Sequence, residues 1–131
     1  MRLILVRHAH AEPAGPGQPD ELRPLSARGR DEARALGEEL ASRTPSVVLT
    51  SPLLRARETA GAIEKATGAE LRIDERLAPG ATPEDVLEAL EDLEGTVVTV
   101  GHQPDCSLIV EALAGRDADF PPAAHVELEL G

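Results

Sequence analysis

Arg7 and His8 close a short apolar run, Leu3-Ile4-Leu5-Val6, after which the chain breaks into Ala9-His10-Ala11-Glu12-Pro13-Ala14-Gly15-Pro16-Gly17. A guanidinium holds an anion through charge-assisted hydrogen bonds, and an imidazole beside it is placed to attack that anion. A second arginine, Arg55, follows the short run Val47-Val48-Leu49-Thr50, within Ser51-Pro52-Leu53-Leu54-Arg55-Ala56-Arg57-Glu58-Thr59. A second histidine, His102, follows Thr96-Val97-Val98-Thr99-Val100, within Gly101-His102-Gln103-Pro104. Two planar cationic forks and two imidazoles suit a dianionic tetrahedral group, which means phosphate.

These residues converge only if the apolar runs are neighbouring strands. Each run has the length of a buried strand, and each is followed by turn or helix-start residues. In open α/β sheets ligands bind at the carboxyl ends of the strands, where Arg7, His8, Arg55 and His102 all fall. Between the runs the pattern turns helical. Ser26 reads as the N-cap of a helix whose residues Ala33, Leu36, Gly37 and Leu40 share a face. Ser51 reads as the cap of a second helix, with Pro52 at its first position and Gly68 at its end. Thr82-Pro83 repeats that start, with Val86, Leu87, Leu90 and Leu93 marking the buried face. Pro104 opens a fourth helix that Gly115 ends, Leu71-Arg72-Ile73 reads as a short strand, and Val126-Glu127-Leu128-Glu129-Leu130 alternates as an edge strand. The expected fold is an α/β three-layer sandwich with a mainly parallel central sheet, one domain over residues 1–131.

The segment Leu5-Val6-Arg7-His8-Ala9 resembles the signature of the histidine phosphatase superfamily, also called phosphoglycerate-mutase-like. The stretch from Ser51 to Ala60 resembles that family's second phosphate-binding segment, and Val100-Gly101-His102-Gln103-Pro104 its third. Arg23-Pro24-Leu25-Ser26-Ala27-Arg28-Gly29 resembles the loop and helix start between the first two. The short chain and its Arg-His-Ala-x-Ala start resemble the SixA-like branch of protein phosphohistidine phosphatases. The resemblance implies a phosphoglycerate-mutase-like fold and a metal-independent phosphatase without a cofactor. His8 is then the nucleophile that forms a phosphohistidine, and Arg7, Arg55 and His102 bind the substrate phosphoryl group as well as taking part in catalysis.

The residues support this chemistry on their own terms. Phosphoryl transfer needs an in-line nucleophile and positive charge around the equatorial oxygens. Neutral His8 supplies the first, with its other ring nitrogen donating to a backbone carbonyl; Arg7, Arg55 and His102, charged once phosphate is bound, supply the second. Arg7 and Arg55 both disfavour protonation of His8. The alternating string His8, His10, Glu12 also reads as a set of metal ligands, although two nearby guanidinium groups would repel a divalent cation. Glu75 resembles the position of the general acid in the mutase branch, or is a surface charge. Arg23 is a candidate outer contact, Arg57 points away from Arg55 on its helix, and Ser107 and Cys106 lack an activating base. The substrate is expected to be phosphohistidine in a protein; a small phosphate ester is the alternative, and a noncatalytic phosphate- or partner-binding module a second one.

Composition narrows the partners. A net charge of -11 opposes binding to nucleic acid or to anionic membranes, both of which select basic patches. The one cysteine, Cys106, permits no internal disulfide, and the apolar start of the chain runs straight into Arg7 rather than into a secretory pattern, so a cytoplasmic location is expected. With Phe120 as the only aromatic residue, the core must be aliphatic.

Overall fold

The computed structural model describes the whole chain, Met1–Gly131. Five strands form one sheet: β1 (Arg2–Arg7), β2 (Val47–Thr50), β3 (Glu70–Ile73), β4 (Thr96–Gly101) and β5 (His125–Glu129), in the order β3-β2-β4-β1-β5. All neighbouring pairs run parallel except β1 and β5, which are antiparallel. Four α-helices cover the sheet: α1 (Ala27–Leu40), α2 (Leu54–Thr67), α3 (Pro83–Leu90) and α4 (Asp105–Ala114).

Strand alternation divides the core between the two faces. Leu3, Leu5, Val47, Leu49 and Val97 pack with Val86, Leu90, Ile109, Val110 and Phe120, on the side of α3 and α4. Ile4, Val6, Val48, Val98 and Val100 pack with Leu36, Leu40, Ala56, Ala60 and Ile63, on the side of α1 and α2. These are the three layers of the expected sandwich. Phe120 is buried, so the lone aromatic residue belongs to a core that is otherwise aliphatic. The strand β5 lies at the sheet edge, as its alternation predicts. No helix is long and apolar enough to cross a membrane.

Two local expectations need correction. The helix α2 begins at Leu54 rather than Pro52, and Ser51 is not its N-cap; Leu53 holds that position without a side-chain cap. Ser51 instead accepts a hydrogen bond from the Leu53 amide, closing a turn before the helix. On α3 the inward face is Val86, Ala89 and Leu90. Leu87 lies one position round the helix, on its flank, and is exposed; Leu93 falls beyond the helix end and is partly buried. The other caps agree with the sequence. Ser26 accepts from the Gly29 amide, Thr82 and Asp85 form a capping box, and Gly68 and Gly115 end their helices with positive φ.

Candidate active site

The register of the sheet brings the strand ends level. Arg7 lies opposite Gly101 in the β1–β4 ladder, and Thr50 opposite Val100 in the β2–β4 ladder. The ladder continues one residue past the strands: the His8 amide donates to Gly101 O, and the Ser51 amide to Val100 O, both at 3.0 Å. His8, Ser51 and His102 therefore leave the sheet side by side, and Arg55 enters from the first turn of α2. His8, Ser51, Arg55 and His102 are all buried. The His8 and His102 rings lie 5.2 Å apart, tilted by 57°.

The His8 ring is fixed by its Nδ1, which donates to Ala9 O at 2.7 Å. Nε2 makes no hydrogen bond within the protein. The backbone that supplies the acceptor is itself held. The Ala9 amide donates to Thr59 Oγ1 at 3.0 Å, and that hydroxyl donates to Arg55 O at 2.8 Å. The His10 amide, in the same peptide unit as the Ala9 carbonyl, donates to Glu32 Oε1 at 2.9 Å. The helices α1 and α2 thus clamp the segment that orients His8.

Burial pushes the His8 pKa down to about 4, with Arg55, then Arg7 and Arg23, adding electrostatic pressure against the bond to Ala9. The arginines act in the expected direction, but desolvation is the larger cause. His102 is pushed down to about 3, first by burial, then by His8 and Arg55, with Asp20 opposing. Both imidazoles are therefore neutral at pH 7, and an anion seated among them favours protonation of His102. Ser51 Oγ meets His102 Nε2 at 2.7 Å, and a hydroxyl can donate to a neutral ring or accept from a protonated one.

The two arginines are anchored differently. Arg7 Nη1 donates to Phe120 O at 2.8 Å, so the buried Phe120 ring fixes the segment that steers this guanidinium. Arg7 Nε is buried with no hydrogen-bond partner, an unusual condition for a cationic donor and one that an anion relieves. Arg55 donates from Nη1 to Asp20 O at 3.0 Å and from Nη2 to Asp20 Oδ2 at 3.1 Å. Arg23 also reaches Asp20, at 3.2 Å, which places it at the rim.

Other candidate residues lie apart from this cluster. His10 Nδ1 is taken by Ser26 Oγ at 2.7 Å and Glu12 is exposed, so His8, His10 and Glu12 form no ligand cluster; no group of three or more such residues is placed to hold a metal. Glu75 is exposed in a single 3-10 turn after β3, and its carboxylate makes no hydrogen bond or ion pair. Arg57 lies on α2, half-buried, with its Nε buried and unpartnered. Burial pushes the Cys106 thiol up to about 12, which leaves it unreactive. Ser51, Thr59, Glu32 and Asp20 escaped the sequence reading as site components. Ser51 resembled a cap, and the others touch the site only through tertiary contacts.

A neutral imidazole nitrogen beside the guanidinium groups of Arg7 and Arg55 can attack an anionic tetrahedral centre. Known proteins resemble this chain in sequence and in fold. The family profile described as histidine phosphatase superfamily, branch 1, matches residues 3–79. A phosphohistidine phosphatase SixA homolog of Haemophilus influenzae is 31% identical, over 98% of this chain and 87% of its own length. A glucosyl-3-phosphoglycerate phosphatase of Mycolicibacterium vanbaalenii is 40% identical over 58% of this chain, a region that spans only 35% of that relative. Among solved structures, a protein histidine phosphatase SixA complexed with tungstate superimposes with a TM-score of 0.88 and 25% identity, covering 99% of this chain and 88% of its own.

Proposed function

The chain belongs to the histidine phosphatase superfamily, and on that premise we propose that it hydrolyses phosphohistidine in proteins through a covalent phosphohistidine on His8. The observation that carries this reading is the state of His8: Nδ1 committed to Ala9 O, Nε2 unbonded, and the ring held neutral by burial. In the first step a bond forms between Nε2 and phosphorus as the bond to the leaving group breaks. Arg7, Arg55 and His102 bear the charge on the phosphoryl oxygens. In the second step water attacks phosphorus, His8 departs with its electron pair, and orthophosphate leaves. None of these steps calls for a bound metal ion.

A carrier imidazole is a better leaving group than an alkoxide and needs less proton donation. Glu75 is exposed and its carboxylate unengaged, so it is not a buried, oriented acid of the kind an alkyl ester requires. The near-full-length sequence match to a SixA homolog supports a protein substrate, whereas by sequence the glucosyl-3-phosphoglycerate phosphatase matches over only about a third of its length. A comparison of phosphohistidine protein, an aryl phosphate and a sugar phosphate at matched concentrations tests the reading. Efficient turnover of the first two is expected, and turnover confined to the sugar phosphate would assign a small-molecule phosphatase instead.

A further inference from the structure

Asp20 places a fixed negative charge on the phosphate clamp itself. It opens the one-turn helix Asp20–Leu22, and each of its carboxylate oxygens meets a different arginine: Oδ2 meets Arg55 Nη2 at 3.1 Å and Oδ1 meets Arg23 Nη1 at 3.2 Å. Its main-chain oxygen takes Arg55 Nη1, so Asp20 occupies the whole outer edge of that fork. The side chain of Arg55 is 8% exposed and that of Asp20 56%, so the carboxylate stands between the buried clamp and solvent. Hydrogen bonds from Arg23 and Arg55 hold its pKa below the usual carboxylate value, so it is ionised at neutral pH. Asp20 also acts on His102, favouring its protonation against burial.

We propose that Asp20 is a specificity-determining residue that disfavours phosphate esters whose carrier bears a second negative charge. The inference rests on the assignment of Arg7, His8, Arg55 and His102 to phosphoryl transfer. Asp20 takes both terminal nitrogens of Arg55 and leaves its Nε unbonded, so a phosphoryl group on His8 that uses that nitrogen shares one guanidinium with Asp20. The phosphoryl charge itself is common to all substrates. Discrimination arises at the carrier: a carboxylate or second phosphate arriving through the mouth meets Asp20, whereas an imidazole, an arene or a protein loop without acids does not. A phosphohistidine in a neutral or basic protein segment is the substrate class this favours.

The test uses a matched pair of aryl esters, phenyl phosphate and 3-carboxyphenyl phosphate, with wild-type protein and Asp20→Asn. Wild type should prefer phenyl phosphate in kcat/KM by about tenfold, the size of a like-charge repulsion at short range in a wet site. Asp20→Asn should narrow this to about twofold, and salt at about 1 M, where the Debye length is about 3 Å, should narrow it in wild type. Orthophosphate binding, read by calorimetry, should tighten in Asp20→Asn. Tighter orthophosphate binding without turnover of either ester would support the role of Asp20 while overturning the phosphatase reading. An equal ester ratio in the two proteins, or weaker orthophosphate binding in the variant, would overturn the role, the latter showing that Asp20 merely orients Arg55. The salt arm tests it in wild type should the variant fail to fold: a preference unmoved by salt would contradict it.

Discussion

Replacing Thr59 with valine tests whether the geometry around His8 sets its reactivity. Valine keeps the shape of threonine and removes one oxygen. Thr59 is fully buried, accepts from the Ala9 amide at 3.0 Å and donates to Arg55 O at 2.8 Å. The substitution leaves the Ala9 N–H buried without a partner, at a cost of about 1–3 kcal/mol. The freed Arg55 carbonyl adds little, because it lies within a helix whose backbone bonds persist. Ala9 then shifts to find water, and its carbonyl, the acceptor for His8 Nδ1, shifts with it. A displacement of about 1 Å at a nucleophile costs on the order of 10²-fold in rate. Thr59→Val should therefore lower kcat by about 10- to 100-fold with KM changed much less, and should lower the urea midpoint. Thr59→Ser, which restores the hydroxyl, should recover most of kcat. Steady-state kinetics and urea unfolding read both effects. A variant that loses stability yet keeps the wild-type kcat would refute the link from Thr59 through Ala9 to His8.

Further outcomes follow from the same geometry. Glu75→Gln should change the rate on phosphohistidine by less than about threefold, because Glu75 is exposed and unpaired; a true general acid would cost roughly 10²–10⁴-fold. The pH profile of kcat/KM should show an acid limb near pH 4 from His8, and a limb near the ordinary histidine value of 6.5 would contradict the burial argument. His8 and His102 have folded pKa values of about 4 and about 3, below their unfolded value of 6.5, so the unfolded chain binds more protons in acid. Their stabilisation is present above pH 6.5 and is lost as pH falls toward those values, each at about 1.4 kcal/mol per pH unit, which urea titrations from pH 7 to 4 will read. Dialysis against EDTA should leave activity intact; a loss restored by Mg²⁺ or Zn²⁺ would revive the metal reading of His8, His10 and Glu12.

The sequence made the framework legible because each strand carries its own signal. Leu3-Ile4-Leu5-Val6 and Thr96-Val97-Val98-Thr99-Val100 are apolar in unbroken runs, and β5 alternates, so buried and edge strands could be told apart. Arg7, His8 and His102 were legible as candidates because they stand within two residues of those runs, and Arg55 because it opens the helix pattern after Val47-Val48-Leu49-Thr50. Ser51 was misread because a serine before proline satisfies a local helix-start rule, whereas its hydroxyl is committed to His102, 51 residues away. Leu87 was misread because hydrophobicity alone does not say which flank of a short helix the sheet covers. Thr59, Glu32 and Asp20 act through contacts 50, 22 and 35 residues apart in sequence, which no local spacing encodes.

The central claim is that His8 carries the phosphoryl group, and trapping that intermediate tests it most directly. Wild-type protein mixed with a labelled phosphohistidine peptide, quenched in alkali within the first turnover and digested, should yield acid-labile, alkali-stable phosphate on the peptide containing His8. His8→Ala should yield none, and its turnover should fall by several orders of magnitude. Label on another residue, or a His8→Ala protein that turns over at the wild-type rate, would contradict the account.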